Sequence, residues 1–475
     1  MELTARDIAR ITSGELASGS PDAVATSYAI DSRALEPGAC FVALVAARDG
    51  HEYVADAASR GAAVALVSRR VHVGEGSPIA LVRVAEPLDG LGALGARARD
   101  ALDGVPVVGI TGSAGKTGTK DLTAAALAGA GAAVHASPGS YNNEAGVPLT
   151  LLDAPTDASA IVLEMGARQR GDIAALCAIA HPTVGVITNV GLAHAGRLGG
   201  PEGVALTKGE LFEALPASGL GILDADDAAT ASIRARTRAS VVLVSGRGTD
   251  GADLTATDVV LDAELRPTFR LHTPWGSGTV ALGVHGDHQV INALQAAAVA
   301  LHLGVAFGAV VTGLESATPA EWRMEVVHGP NGVLVLNDAY NANPSSMAAA
   351  VRALAQLDTA GRRIAVLGEM LELGDLTRVE HERIGRLASE LGIDLVVAVG
   401  DGTAGLADAA RDAGTTVVTA RDADDARRAL LDLVESNDAV LVKGSRAVGL
   451  ESVAHALAHV DGPGSSAAVT SERVP

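Results

Sequence analysis

Aromatic residues, cysteine and positive charge are all scarce in this sequence. Its 475 residues include four Phe, four Tyr and two Trp, 2% in all, too few for base-stacking platforms or an aromatic belt at a membrane. Two cysteines, Cys40 and Cys177, supply neither a disulfide framework nor a zinc cluster and point to a reducing compartment. Lys and Arg total 36 against 56 Asp and Glu, a formal charge of −20. That balance excludes a general nucleic-acid binder or a protein held on anionic lipid. No apolar run approaches the roughly 18 residues that cross a bilayer. The opening MELTARDIARITSGEL carries charge every few residues and no apolar h-region, so a secretory signal is not expected. Thr4 followed by Asp7 reads instead as the cap of an amphipathic helix. A cytoplasmic location follows as the expectation.

Apolar residues are plentiful, 48% of the chain, enough for several cores, and the length fits about three domains. Short apolar runs alternate with Ala/Leu-rich helical stretches, the pattern of an α/β fold. Composition shifts divide the chain into a small N-terminal α/β domain (1–100), a central parallel-sheet domain (101–317) and a C-terminal Rossmann-like, doubly wound domain (318–461). The Gly/Ser/Pro-rich tail, 462–475, reads as disordered. Strands are predicted at Cys40–Val45 and Ala63–Val67, then at Val105–Ile110, Ala160–Glu164 and Val184–Asn189, and finally at Val333–Asp338, Arg363–Gly368, Leu395–Gly400 and Ala439–Lys443. Leu88–Leu102 and Ala293–His302 read as helices, and the polar stretch Gly246–Val284 as an antiparallel insertion.

The most specific short motif is VVGITGSAGKT, Val107–Thr117, between an apolar strand and an Ala/Leu-rich helix. Thr111, Gly112, Ser113, Ala114 and Gly115 would form a loop whose N–H groups cradle phosphate oxygens. Lys116 supplies a point charge for the outer phosphates and Thr117 a hydroxyl for Mg²⁺. The common pattern has glycine five residues before Gly115, where this chain has Ile110.

Such a loop serves ATPases, kinases, GTPases and ligases alike, so other residues must select the reaction. Glu164 ends a predicted strand and so shares a rim with the loop. His194 follows the strand that ends in Thr188-Asn189; a histidine in a loop is more often structural than a ligand. Lys208, in LTKGEL, reads on composition alone as a solvated helix lysine.

Taken in order, TGSAGKT, YNNEAGVPLTLL, EMGARQRGDI, ITNVGLAHAG, KGEL, GDHQVINAL and NDAYNANPSSM resemble the Mur ligases, ATP-dependent amide-forming enzymes of peptidoglycan assembly. YNNE, YNANP and the later Lys443-Gly444-Ser445-Arg446 resemble the branch that adds D-alanyl-D-alanine. The resemblance runs from about Asp31 to Glu451 and implies an enzyme that uses ATP and Mg²⁺ at two sites. Its substrates would be UDP-N-acetylmuramoyl-tripeptide and D-alanyl-D-alanine, joined through an acyl phosphate, and the enzyme would act as a monomer in cell-wall synthesis. Lys208 falls where the family carries a carbamate derived from carbon dioxide, turning an ammonium into a metal-binding carboxylate. Glu164, His194 and Thr117 would be its partners at the metal. Asn292 would meet adenine, and Arg323 and Asp338 would reach the nucleotide from the third domain. Ser32, Arg33, Asp49, Gly50 and His51 look like the segments holding the UDP end. Asn142, Asn143, Thr188, Asn341, Asn343, Lys443, Ser445 and Arg446 would lie along the remaining substrate.

Three positions depart from the family pattern: Gln289 stands where Asn is usual, Gly118 where Thr is common, and Ala447 where Gly is usual. Two other classes fit parts of the sequence. One is a related ligase adding a single amino acid or polyglutamylating folate, which would not be expected to carry YNANP with YNNE. The other is a nucleotide switch that makes no peptide bond.

Overall fold

The computed structural model describes residues 1–74, 76–191 and 195–459; His194, its two preceding neighbours, Glu75 and everything from residue 460, including the expected disordered tail, lie outside them. Three large sheets follow one another along the chain. The first has five strands in the order Glu15–Ser18, Ala80–Arg83, Val64–Val67, Ala39–Val42 and Ser27–Ala29. Ahead of it, Thr4 caps helix Ala5–Ile11 as expected: its hydroxyl accepts the Asp7 N–H at 3.1 Å and donates to the Asp7 carboxylate at 2.7 Å.

The second sheet has nine strands and carries the phosphate loop. Val107–Thr111 is buried at every residue and lies between Ala160–Glu164 and Val184–Ile187, parallel to both. A strand covered on both faces has no polar side to show, which is why these runs read as unbroken apolar segments. From Val107–Thr111 the chain first builds toward one edge, through Val134–Ala136 and Ala160–Glu164. It then returns to the other side with Val184–Ile187, Leu220–Asp224 and Ser240–Ser245. The reversal opens a crevice beyond the carboxyl end of Val107–Thr111, where doubly wound sheets bind ligands.

The polar stretch forms antiparallel strands Leu254–Leu261, Pro267–Thr273 and Gly276–Ala281 as expected, but it does not stand apart. Leu254–Leu261 pairs in parallel with Ser240–Ser245 and so extends the central sheet. Its buried residues Leu254, Ala256, Phe269, Leu271 and Val280 need cover, and they join the core built on helix Gln289–His302.

Small residues let that helix lie close to its neighbours. Ala293, Ala296, Ala297, Ala298 and Ala300 are all fully buried, bringing Gln289–His302 onto the phosphate-loop helix, Lys116–Ala128. The opposite face of the sheet shares one core with the first unit. Helix Pro87–Ala101 closes the first unit in sequence yet packs on the central one, where a Cβ on Gly95 would come within 2.7 Å of Pro148.

The third sheet runs Glu325–His328, Leu334–Asn337, Ala439–Lys443, Arg363–Gly368, Leu395–Val399 and Thr416–Ala420, parallel except for its first, antiparallel edge. Here too the order reverses, since Ala439–Lys443 inserts between two strands made much earlier. Asp338 and Lys443 therefore emerge together at one carboxyl edge. No described helix is long and apolar enough to cross a membrane.

Candidate active site

The phosphate loop turns through Gly112 (φ +152°) and Gly115 (φ +81°), backbone angles that side chains disfavour. Space forbids a side chain as well: a Cβ on Gly112 would lie 1.8 Å from Thr188 Oγ1, and one on Gly115 2.9 Å from Asn292 Oδ1. Asn189 grips the loop with both ends of its amide, Oδ1 accepting the Ala114 N–H and Nδ2 donating to the Ala114 carbonyl, each at 3.0 Å. Lys116 folds back to donate to the Gly112 carbonyl at 2.9 Å. Burial pushes its pKa down; the Glu164 charge opposes that shift and Arg323 adds to it.

Thr117 and Glu164, expected on one rim because Glu164 ends a strand beside the loop, meet in the structure, the hydroxyl donating to Glu164 Oε2 at 2.6 Å. Asn142 Nδ2 donates to the other carboxylate oxygen at 2.8 Å. Lys208 is 1% exposed, not the solvated lysine that composition alone implied. Burial, assisted by the Lys116 charge and resisted by Glu210, brings its amine down to about 7. Glu210, two residues on, accepts the N–H groups of Gly171 at 2.8 Å and Ala174 at 3.0 Å, tying the Lys208 helix to the start of helix Asp172–Ala180. Among the described residues no group of three His, Cys, Asp or Glu could hold a metal. A metal here would instead need the mixed set Thr117, Glu164 and a modified Lys208. His194, the remaining member expected, lies outside the described residues.

These groups line a cavity of about 1210 Å³ between the second and third sheets. Lys116, Thr117, Asn142, Asn143, Glu164, Lys208 and Asn292 enter it from the central side, and Arg323, Asp338, Asn341, Asn343, Lys443 and Arg446 from the other. Lys443 Nζ donates to Asp338 Oδ2 at 2.6 Å and to the Asn341 carbonyl at 2.8 Å. Arg323 crosses to Ser140 Oγ at 3.0 Å while stacking on Tyr340, its Cζ 4.0 Å from the ring centroid. Arg446 stacks on Trp322 at 4.4 Å and pairs with Glu451 at 2.8 Å. Ser445 accepts the Leu371 N–H at 3.0 Å. The Ala447 departure leaves the turn in place, because Gly449 (φ +75°) takes the left-handed position that ends Arg446–Val448.

The first-unit segments do not line this cavity. Their side chains are occupied with one another. Asp31 is held by the Arg33 side chain and N–H, which bring its carboxyl down to about 2. Asp49 binds Arg69 at 2.7 Å and His51 Nδ1 at 2.6 Å, contacts that hold it well below the usual carboxylate range. Through Nε2, His51 accepts the Ser68 N–H at 2.9 Å. Ser32 is buried, and a Cβ on Gly50 would lie 2.6 Å from the Leu44 carbonyl.

Sequence reasoning overlooked several positioning residues. Lys120, one helical turn beyond Lys116 and 4% exposed, donates to the Ser137 and Gly139 carbonyls at 2.8 and 3.2 Å. Ser137 in turn accepts the Glu164 N–H at 3.2 Å. Asp227 accepts the Val190 N–H at 2.8 Å, beside Asn189. The four-residue spacing from Lys116 could have flagged Lys120; nothing local marks Asp227.

Residues 110–300 match the Mur ligase middle domain and residues 322–446 the Mur ligase glutamate ligase domain. The chain belongs to the Mur ligase family. A UDP-N-acetylmuramoyl-tripeptide--D-alanyl-D-alanine ligase of Mycobacterium tuberculosis strain H37Rv is 45% identical to it, across 98% of this chain and 99% of that one. Among solved structures, MurF from Acinetobacter baumannii superposes with a TM-score of 0.86 at 33% identity, covering 96% of this chain and 99% of the other. A MurF ligase from Thermotoga maritima in complex with ADP gives 0.76 at 28% identity, covering 91% and 97%.

Proposed function

We infer that the chain is the ATP-dependent ligase that joins D-alanyl-D-alanine to UDP-N-acetylmuramoyl-tripeptide in peptidoglycan synthesis, working in the cytoplasm as a monomer. The observation that carries this reading is the convergence of the phosphate loop, the Thr117–Glu164 pair and a buried Lys208 on one cavity that Arg323, Asp338 and Lys443 close from the third unit. The terminal carboxylate of the tripeptide attacks the γ-phosphorus of ATP, and the bond to ADP breaks to leave an acyl phosphate. The dipeptide amine then forms the C–N bond at the acyl carbon, phosphate departs, and the amine proton is lost.

Loop N–H groups and Lys116 face the charge that spreads over the transferring phosphoryl group. Mg²⁺, when bound, would neutralise more of that charge, and Thr117, Glu164, His194 and Lys208 are the residues that would hold it. Lys208 fits a carbamate chemically: an amine brought down to about 7 is substantially neutral near pH 7, the form that adds carbon dioxide. The nearby Lys116 charge would favour the resulting anion.

On the central side Asn292 would meet adenine, with Arg323 and Asp338 approaching the nucleotide from the third unit. Asn142 and Asn143 would face the muramoyl peptide, and Asn341, Lys443 and Arg446 the dipeptide. Thr188 and Ser445, expected there too, are buried outside the cavity lining and would act only through the backbone they hold. In the first unit the Asp31 and Asp49 side chains and the Gly50 and His51 N–H groups are held internally, so exposed Arg33 would meet the UDP end, with Ser32 and the Asp49-Gly50-His51 turn shaping that end.

Mass spectrometry of product formation tests this reading. Wild-type protein should form the UDP-muramoyl-pentapeptide, Lys208→Ala none, and added formate or acetate should restore part of it. An alanine variant working at the wild-type rate would overturn the role given to Lys208, and absence of pentapeptide with the wild type would overturn the function.

A further inference from the structure

The third unit reaches into the phosphate loop with one side chain, Asn343. It is the N-cap of helix Pro344–Gln356: Oδ1 accepts the Ser346 N–H at 3.0 Å, and Ser346 Oγ accepts the Asn343 N–H at 3.1 Å. Capping uses only the oxygen of the amide. The nitrogen is free for another partner, and it donates to the Ser113 carbonyl at 3.2 Å, inside the phosphate loop.

That carbonyl belongs to a peptide clamped at its other end as well, since the Ala114 N–H is bound by Asn189 Oδ1 at 3.0 Å. The next carbonyl, of Ala114, is held by Asn189 Nδ2 at 3.0 Å. The Ser113-Ala114 peptide is therefore pinned at both ends and anchors the loop. Because peptide units are planar, fixing the Ala114 carbonyl fixes the direction of the Gly115 N–H that follows it, a group the loop can turn toward a phosphate. The same helical turn also touches the neighbouring loop. A Cβ on Gly191 would lie 2.7 Å from Ser345 Oγ, and Gly191 exchanges hydrogen bonds with Ser113 Oγ at 2.9 and 3.2 Å. A side chain at position 191 would displace the Ser345 hydroxyl and press on Ser113 Cβ at 3.3 Å.

We propose that Asn343 is a positioning residue that couples docking of the third unit to nucleotide binding, its oxygen holding its own helix and its nitrogen holding the phosphate loop in binding shape. The inference rests on the nucleotide-binding reading of that loop. A bond made only when the third unit is docked and the loop is ordered strengthens both events together, because linkage is reciprocal.

Two substitutions separate the two jobs of the side chain. Asn343→Asp and Asn343→Ser both keep an oxygen suited to an N-cap; Asp loses the donor, and Ser is too short to reach Ser113. Calorimetric titration of the full chain with ADP, with neither sugar nucleotide nor dipeptide present, reads the coupling. Both variants should melt at the wild-type temperature and bind ADP roughly 3- to 10-fold more weakly, the effect of losing one hydrogen bond, with Asp the weaker of the two. Gly191→Ala, which wedges Ser345 away, should weaken ADP binding in the same range. Unchanged ADP affinity in both Asn343 variants, with a raised KM for D-alanyl-D-alanine alone, would overturn the coupling and make Asn343 a dipeptide ligand. Wild-type protein that does not bind ADP, or a Lys116→Ala variant that binds it as well as wild type, would remove the nucleotide reading and the coupling together.

Discussion

Lys116, half-buried, and Lys208, fully buried, line the same cavity, and their surroundings differ. Lys116 donates to the Gly112 carbonyl, and the nearby Glu164 charge resists the downward pull of desolvation on its pKa. The amine of Lys208 falls to about 7, against 10.5 for an unburied lysine, mainly through desolvation. In the unfolded chain Lys208 holds its proton up to about pH 10.5, whereas the folded chain releases it near 7. Without carbon dioxide, its burial therefore costs most below about pH 7, and the cost fades as pH rises toward the unfolded value. Lys208→Met removes the charge and keeps the bulk. Denaturant unfolding in carbon-dioxide-free buffer should find the Met variant more stable than wild type at pH 6.5 by on the order of a few kcal/mol, with the gap narrowing by pH 9. A gap independent of pH would show that Lys208 is not desolvated as described. At this scale the sequence marked Lys116 and Thr117 through a local motif and Glu164 as the end of a predicted parallel strand. The burial of Lys208 comes from elements far along the chain, and only the family resemblance pointed to it.

Between elements, two departures from the family pattern turn out to touch. Gly118 lies in the phosphate-loop helix, where a Cβ would stand 3.1 Å from Gln289 Oε1 and 3.3 Å from Asn292 Nδ2. Asn292 Nδ2 itself donates to Gln289 Oε1 at 2.9 Å. The longer Gln289 occupies space that a side chain at 118 would take, so a glycine in the first turns of one helix accompanies a larger residue at the start of the other. Gly118→Ala alone should gain less than the about 1 kcal/mol expected from helix propensity, and Gly118→Ala with Gln289→Asn should recover the difference. Equal gains in the two backgrounds, measured by denaturant unfolding, would mean that the positions are independent. Fully covered parallel strands were the elements most legible beforehand: Ala160–Glu164, Arg363–Gly368 and Ala439–Lys443 have the bounds their apolar runs implied. Edge strands Val134–Ala136 and Glu325–His328 escaped notice because half-buried edges lack a continuous apolar run.

Across the whole molecule, a charge of −20 coexists with a cavity lined by several cations. The global sum governs solubility and long-range repulsion, while on the proposed function binding would rest on N–H groups and a few cations: Lys116, Arg323, Lys443 and Arg446. These cations come from two units, so the site is complete only where the second and third sheets meet. Among the contacts that join them, Arg323 with Ser140 and Asn343 with Ser113 link residues 183 and 230 positions apart. No window of sequence contains such a pair, which is why the three-part layout could be read in advance and the joints between the parts could not. The central claim is that ATP is consumed only to join two substrates. It is tested most directly by phosphate release from ATP with UDP-N-acetylmuramoyl-tripeptide and D-alanyl-D-alanine supplied separately and together. Steady release should require both and match the pentapeptide formed, one for one. Steady release with either one missing, or release indifferent to the dipeptide, would contradict it.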